Sequence, residues 1–194
     1  MKEVVKDPEN TILFDVCCGT GTIGLTCLKE GAVGKVIGVD ISEPAIEDAK
    51  TNADINGYGE GTGKKARFVA GKAEAVLSRE IGRARSTTDS FVAVVDPARD
   101  GLHPDVVRTL RSNERIGRIV YVSCNPTATL VRDAALLCAP KTKRFSGPPF
   151  RVTSGRPVDM FPYTKHCEMV MVFDRVESEL EKDSALEQSG GASS

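Results

Sequence analysis

Short apolar runs alternate with amphipathic stretches along the chain. TILFDV (Thr11–Val16) is a run of strand-forming residues that ends in a glycine-rich turn, after which Ile23, Cys27 and Leu28 recur at helical spacing. KVIGVD (Lys35–Asp40) predicts a second strand. Ser42, Glu43 and Pro44 then supply an N-cap, an acid and a proline for the first turn of a helix. That helix carries Ile46, Ala49 and Ala53 on one face and ends at Asn56-Gly57. ARFVAG (Ala66–Gly71) predicts a third strand, with a helix from Ala73 to Ile81. FVAVVD (Phe91–Asp96) and GRIVYVS (Gly117–Ser123) show no polar alternation, which is the pattern of strands buried on both faces in a parallel sheet. Helices around Asp105–Arg111 and Thr127–Leu137 follow them. Phe150–Val158 and Glu168–Phe173 predict the last two strands.

Strand and helix alternate five times, which predicts a doubly wound α/β fold: a mostly parallel seven-stranded sheet with helices on both faces. Residues 1–176 are expected to form one domain. Gly57–Lys65 and Arg83–Ser90 read as flexible, solvated connections, and 177–194, ending SGGASS, as a flexible polar tail. In this architecture ligands bind outside the carboxyl ends of the strands. The informative residues are therefore those directly after each strand.

Composition narrows the classes. Hydrophobic residues make up 40% and charged residues 27% of the 194, which suits one ordinary core and excludes whole-chain disorder. No run approaches the roughly 18 apolar residues of a membrane span, and the first ten residues have no apolar region like that of a secretory signal. Lys+Arg number 26 against 27 Asp+Glu, a net charge of -1, so any nucleic-acid surface has to be local. The six cysteines form no CxxC pair and no Cys/His ligand spacing, so no metal is expected. With nothing pointing to secretion, a reducing, intracellular compartment is expected, cytoplasmic or nuclear.

Four constellations carry candidate chemistry. In DVCCGTGTIG (Asp15–Gly24) three glycines follow a strand and open a helix, letting backbone amides approach a ligand. Asp40 closes the next strand, where an acid bonds ribose hydroxyls. A dinucleotide-binding dehydrogenase remains open on these residues. Asp15, placed to lie under a methionine end, leans towards S-adenosylmethionine (SAM). VVDPARDGL (Val94–Leu102) puts a carboxylate, Asp96, over the pocket and Arg99 at its rim. In YVSCNP (Tyr121–Pro126), Cys124 stands just past a buried strand and before a helix-start signal, where a helix N-terminus favours thiolate. A lone cysteine is otherwise small apolar filler. In PVDMFPYTKHCEMV (Pro157–Val170), Asp159 and His166 lead to Glu168, an acid at the start of an apolar strand, where burial raises a carboxyl pKa and makes it a usable base.

In this order the motifs resemble the catalytic domain of the RNA (uracil-5-)-methyltransferases. DVCCGTGTIGL, SCNP and DMFPxTxHCE are most similar to the eukaryotic tRNA branch, and the resemblance runs from about Thr11 to Val176. It implies a Rossmann-like class I SAM-dependent methyltransferase fold and 5-methyluridine formation in RNA, most of all in the tRNA T-loop. It also implies Cys124 as nucleophile and Glu168 as base. The cofactor SAM would contact the turn at Cys17, Gly19 and Thr22, with Asp40 on the ribose, Lys72 near the adenine and Asp96 at the methyl-transfer end. Two positions depart from the pattern. The family usually has DPPR where this chain has Asp96-Pro97-Ala98-Arg99, and often Asn at the place of Lys72. The family also carries an RNA-binding domain before the glycine motif, where only about ten residues stand here, so the chain is expected to be a catalytic domain without it. Two other readings stay open: an RNA cytosine-5 methyltransferase, which resembles TCS at the cysteine and has a second cysteine after Asp-Pro, and a non-enzymatic SAM- or RNA-binding chaperone module.

Overall fold

The computed structural model describes residues 5–61, 63–84 and 90–176. The strands are β1 (Thr11–Val16), β2 (Lys35–Asp40), β3 (Ala66–Ala70), β4 (Ser90–Val95), β5 (Ile116–Ser123), β6 (Phe150–Val158) and β7 (Glu168–Arg175). The helices are α1 (Thr22–Lys29), α2 (Glu43–Ile55), α3 (Ala73–Arg83), α4 (Pro104–Ser112) and α5 (Thr129–Cys138). The strands join one sheet in the order β3-β2-β1-β4-β5-β7-β6. The first five run parallel, and β7 enters antiparallel between β5 and β6. The seven-stranded, mostly parallel sheet expected from the sequence is the one that forms.

The continuous apolar runs are explained by burial on both faces. Phe14, Ala93, Ile119 and Tyr121 face one side with Leu77 of α3, Val107 of α4 and Leu137 of α5. Leu13, Val36, Val94 and Val120 face the other with Leu25 of α1 and Ile46 of α2. α2 begins as its sequence predicts, with the Ser42 hydroxyl accepting from the Ala45 N–H at 3.4 Å. The segment after α2 is less loose than expected. The N–H groups of Lys65 and Ala66 both donate to the Tyr58 carbonyl, and that of Lys64 donates to Gly59. Most of the Arg83–Ser90 connection, and the 177–194 tail, lie outside the described residues.

Two arginines anchor the end of the sheet away from the strand carboxyl termini. Arg111 is fully buried. It donates to the carbonyls of Leu136, Leu137 and Ala139 at 2.9, 3.1 and 2.8 Å, and to that of Gly147 at 2.9 Å. A cation thus sits on the negative end of α5. Arg175 donates to the carbonyls of Leu110, Arg111, Asn113, Ile116 and Pro148, tying β7 to the end of α4 and the start of β5. Arg111→Met keeps the aliphatic bulk and leaves those carbonyls without their donor. We expect a loss of roughly 2–4 kcal/mol, read as a lower urea midpoint at an unchanged slope.

Candidate active site

The glycine turn after β1 is held from below and from the side. The N–H groups of Cys17 and Cys18 both donate to the Val39 carbonyl, at 2.8 and 3.1 Å, and Cys17 takes a left-handed φ of 63°. Gly21 has φ 78°, and a Cβ there would lie 2.6 Å from the Phe68 ring, so only glycine fits. Asp15 is fully buried, and its Oδ2 accepts from the Gly24 N–H at 2.9 Å. It therefore braces the first turn of α1. Its Oδ1 has no hydrogen-bond partner. Burial pushes its pKa up to about 7; the Gly24 bond opposes the shift, and the nearby Asp96 and Asp40 add to it. Asp40 joins two loops: Oδ2 accepts from Gly19 N–H at 2.8 Å and Oδ1 from Ser42 N–H at 2.9 Å. Each oxygen keeps a second lone pair for a ligand.

Beside this turn lies a cleft of about 540 Å³. It brings together four of the residues singled out from the sequence: Cys17, Asp40, Lys72 and Asp96. Gly19 does not line it and is joined to it through its bond to Asp40. Thr22 is exposed at the start of α1, its hydroxyl 3.2 Å from that of Thr20, and does not line the cleft. The wall also contains residues the sequence did not single out, among them Glu74 of α3, and His103 and Asp105 at the start of α4. His103 caps α4, its Nδ1 accepting from the Asp105 N–H at 3.3 Å. His-Pro-Asp before an apolar helix face was the available signal. Asp40, Glu74, Asp96 and Asp105 make the wall acidic, with Lys72 the single Lys or Arg among the lining residues. Such a field opposes a pyrophosphate and favours a cationic ligand.

The ends of β4 and β5 are locked by one residue. Asp133 on α5 is fully buried. Its Oδ2 accepts from the Leu102 N–H and from the Tyr121 hydroxyl, both at 2.7 Å. Its Oδ1 meets Arg132 at 2.8 Å, and Arg132 donates on to the carbonyls of Asp100 and Leu102. Gly101 turns the chain at φ 75°, where a Cβ would lie 2.7 Å from the Asp133 carboxylate. The clue to Asp133 was an acid on the apolar stripe Leu130, Asp133, Leu137.

Cys124 follows β5 directly and is half-buried. The helix whose positive end was expected beside it starts only at Thr129, so the thiol sits on a loop. That loop is shaped by Asn125, whose N–H donates to Ser123 Oγ at 3.1 Å and whose side chain reaches the Arg99 carbonyl at 3.3 Å. Pairing of β5 with β7 runs from Arg118 opposite Asp174 to Ser123 opposite Met169. Cys124 and Glu168 are the next residue on each strand and stand at the same edge. Burial raises the Glu168 pKa, and the Asp96 charge adds to the shift, so these two acids lie within electrostatic reach. Cys124, Glu168 and Asp96 thus gather at the ends of β5, β7 and β4; Asp96 lies in the cleft wall, and the other two beyond it. Asp159 and His166 are exposed, the His166 ring edge-on to Phe161 at 6.4 Å. Among the described residues no group of three His, Cys, Asp or Glu is placed to hold a metal ion.

Asp15 gives a test of this packing without a ligand. Its folded pKa of about 7 lies above the ordinary 3.8. The folded state therefore binds more protons between those values, and stability falls as pH rises from about 4 to 7. Asp15→Asn keeps an acceptor for Gly24 and removes the titration. Its urea stability should lose that slope and exceed the native value at pH 8 but not at pH 4.5, by an amount on the order of a few kcal/mol.

Comparison with known proteins bears on family and fold. The family model described as tRNA (Uracil-5-)-methyltransferase matches residues 1–176. The chain is 43% identical over 165 residues to tRNA (uracil-5-)-methyltransferase homolog B of Danio rerio, covering 84% of this chain and 33% of the relative. It is 41% identical over 167 residues to the Homo sapiens homolog A, covering 86% and 25%. The chain thus spans between a quarter and a third of the length of these relatives. In fold it is similar to the Bacillus subtilis M1A22 tRNA methyltransferase TrmK, with TM-score 0.62, 9% identity, and coverage of 91% of this chain and 64% of that one. It is likewise similar to a putative tRNA (m1A22) methyltransferase of Streptococcus pneumoniae solved with S-adenosyl-L-methionine, with TM-score 0.59, 13% identity, and coverage of 89% and 69%. The fold is that of the class I SAM-dependent methyltransferases. Over residues 1–176, from before β1 to the end of β7, the chain belongs to the tRNA (uracil-5-)-methyltransferase family.

Proposed function

We propose that this chain transfers a methyl group from SAM to carbon 5 of uridine in RNA, with tRNA as the substrate. The observation that carries this reading is the placement of Cys124 and Glu168 at adjoining ends of β5 and β7, next to an acidic cleft that ends at Asp96. The cleft suits the donor. Asp40 would hold the ribose hydroxyls, Lys72 and the short Gly71–Ala73 stretch would flank the adenine, and the carboxylates would face the cationic end. When bound, the donor supplies an electrophilic methyl group on a positively charged sulfur.

The rest is done by the chain's own residues. Carbon 5 of uracil is a poor nucleophile. The Cys124 thiolate adds to carbon 6, and the electrons of the 5,6 double bond move into an enolate, which makes carbon 5 reactive. After carbon 5 has taken the methyl group, the Glu168 carboxylate accepts the proton that carbon 5 still carries. The carbon–sulfur bond then breaks, the double bond returns, and the thiolate is free. Partial burial of Glu168 suits this step, since a raised pKa makes it a better proton acceptor. Uracil has to leave its stack to reach the loop that carries Cys124. Ala98 and Arg99 follow Asp96-Pro97 where a cytosine-5 enzyme would carry its second cysteine.

Two outcomes follow with unmodified tRNA and SAM. Cys124→Ser should abolish both 5-methyluridine and any covalent RNA adduct, since a hydroxyl is far less ionised than a thiol near neutral pH. Glu168→Gln should still add and accept the methyl group but not release product, so a methylated protein–RNA complex should accumulate as a slow band on a denaturing gel. Normal turnover by either variant would contradict its assigned role.

Asp40→Ala should weaken binding of the demethylated product of SAM by roughly 10- to 100-fold in calorimetric titration. It should also lower the melting temperature, because the Gly19 and Ser42 amides lose their acceptor.

A further inference from the structure

The net charge of -1 conceals a division across the sheet. β3 and β6 are its two outer strands. On the β3 side, α2 and the turn after it carry Glu43, Glu47, Asp48, Asp54 and Glu60 against Lys50, Lys64 and Lys65. On the β6 side, residues 140–167 carry Lys141, Lys143, Arg144, Arg151, Arg156 and Lys165 against Asp159 alone. All six of these cations are exposed. None of them forms a salt bridge among the described residues, whereas on the β3 side Lys50 pairs with Glu47 and Arg67 with Glu60. Charged residues on an outer strand also discourage pairing with other chains, but that purpose is served by either sign, and here one sign predominates.

β6 itself is bare. Of its nine residues only Phe150 is buried. It runs about 30 Å and ends at Val158, opposite Glu168. The loop between them leaves Met160 63% and Phe161 40% exposed, and Tyr163 fully exposed at a left-handed φ of 66°. A cationic strip therefore leads along the edge of the sheet to exposed aromatic rings, and the rings adjoin the edge that carries Cys124 and Glu168. Cations that track a backbone, followed by rings on which bases stack, are the combination that binds single-stranded or looped RNA.

We infer that the β6 edge and the 159–167 loop form the track for the RNA next to the target uridine, with phosphates on Arg151, Arg156 and Lys165 and a base stacked on Tyr163. This rests on the RNA reading of the preceding subsection and adds the surface that delivers the substrate.

The test uses the 194-residue chain and a fluorescent tRNA T-arm hairpin, with anisotropy read between 50 and 200 mM NaCl. The variant Arg151→Gln/Arg156→Gln/Lys165→Gln should bind at least tenfold more weakly at low salt and reduce the salt slope by about 2 to 3. Tyr163→Ala should weaken binding with the slope unchanged, because stacking releases no counterions. Lys29→Gln/Lys50→Gln, with the same type of charge loss away from this edge, should bind as the native chain does. Calorimetry with the demethylated product of SAM should be unaltered in all of them, which shows that the fold and the cleft persist. Native-like RNA affinity in the triple variant would overturn the inference. So would displacement of the hairpin by poly-glutamate of equal charge with Tyr163→Ala silent, which assigns the edge to an acidic protein segment. Edge-dependent RNA binding without 5-methyluridine formation by the native chain would remove the proposed activity and leave the track standing. Methylation with an edge-independent affinity would do the reverse.

Discussion

A single buried carboxylate holds the loop after β4 and the strand β5 in place beside the cleft. Asp133 receives a backbone N–H from the loop after β4, a phenol from β5 and a guanidinium from its own helix. A buried charge is tolerated only when its lone pairs are filled, and breaking such a pair costs roughly 3–5 kcal/mol. Three segments that meet nowhere in sequence are thereby fixed relative to one another. The Asp96–Leu102 loop cannot shift without breaking the Leu102 bond, and β5 cannot shift without moving Tyr121. Gly101 is required for the same reason, since the carboxylate occupies the space a Cβ would need.

The cleft shows how a fold shared by many ligands is committed to one charge. The glycine turn and the acid after β2 serve dinucleotides and SAM alike. What separates them is the remainder of the wall, where Glu74, Asp96 and Asp105 join Asp40. Asp40 has a second task, accepting from Gly19 and Ser42, so the turn is shaped by the same carboxylate that faces the ligand. A site organised in advance in this way loses less on binding than one that must be assembled by the ligand.

Much of the fold was legible because its signals are local. Buried parallel strands show as unbroken apolar runs, and the start of α2 shows as Ser-Glu-Pro. The residues at the strand ends were legible as motifs, yet their roles depended on contacts that no period reveals. Asp15 reads as an acid before the glycine turn, and its bond to the Gly24 N–H, nine positions on, shows only in the fold. Cys124 reads as a helix-end thiol until the helix is seen to begin at Thr129. Asp133 is one acid in an ordinary helix pattern, and its partners lie 12 and 31 positions away. The placement of Cys124 and Glu168 at one edge was the least accessible of all, because β7 inserts between β5 and β6 and strand order leaves no mark on hydrophobic spacing.

The antiparallel entry of β7 makes that strand a ruler. At its far end Asp174 is clasped by Arg118, and Arg175 is pinned to five carbonyls. Asp174 lies six positions beyond Glu168, about 20 Å of extended chain. A slip of one residue would turn every side chain of the strand to the opposite face and take the carboxylate away from the thiol. The position of Glu168 is therefore measured out from the opposite end of the strand, by an ion pair and a guanidinium.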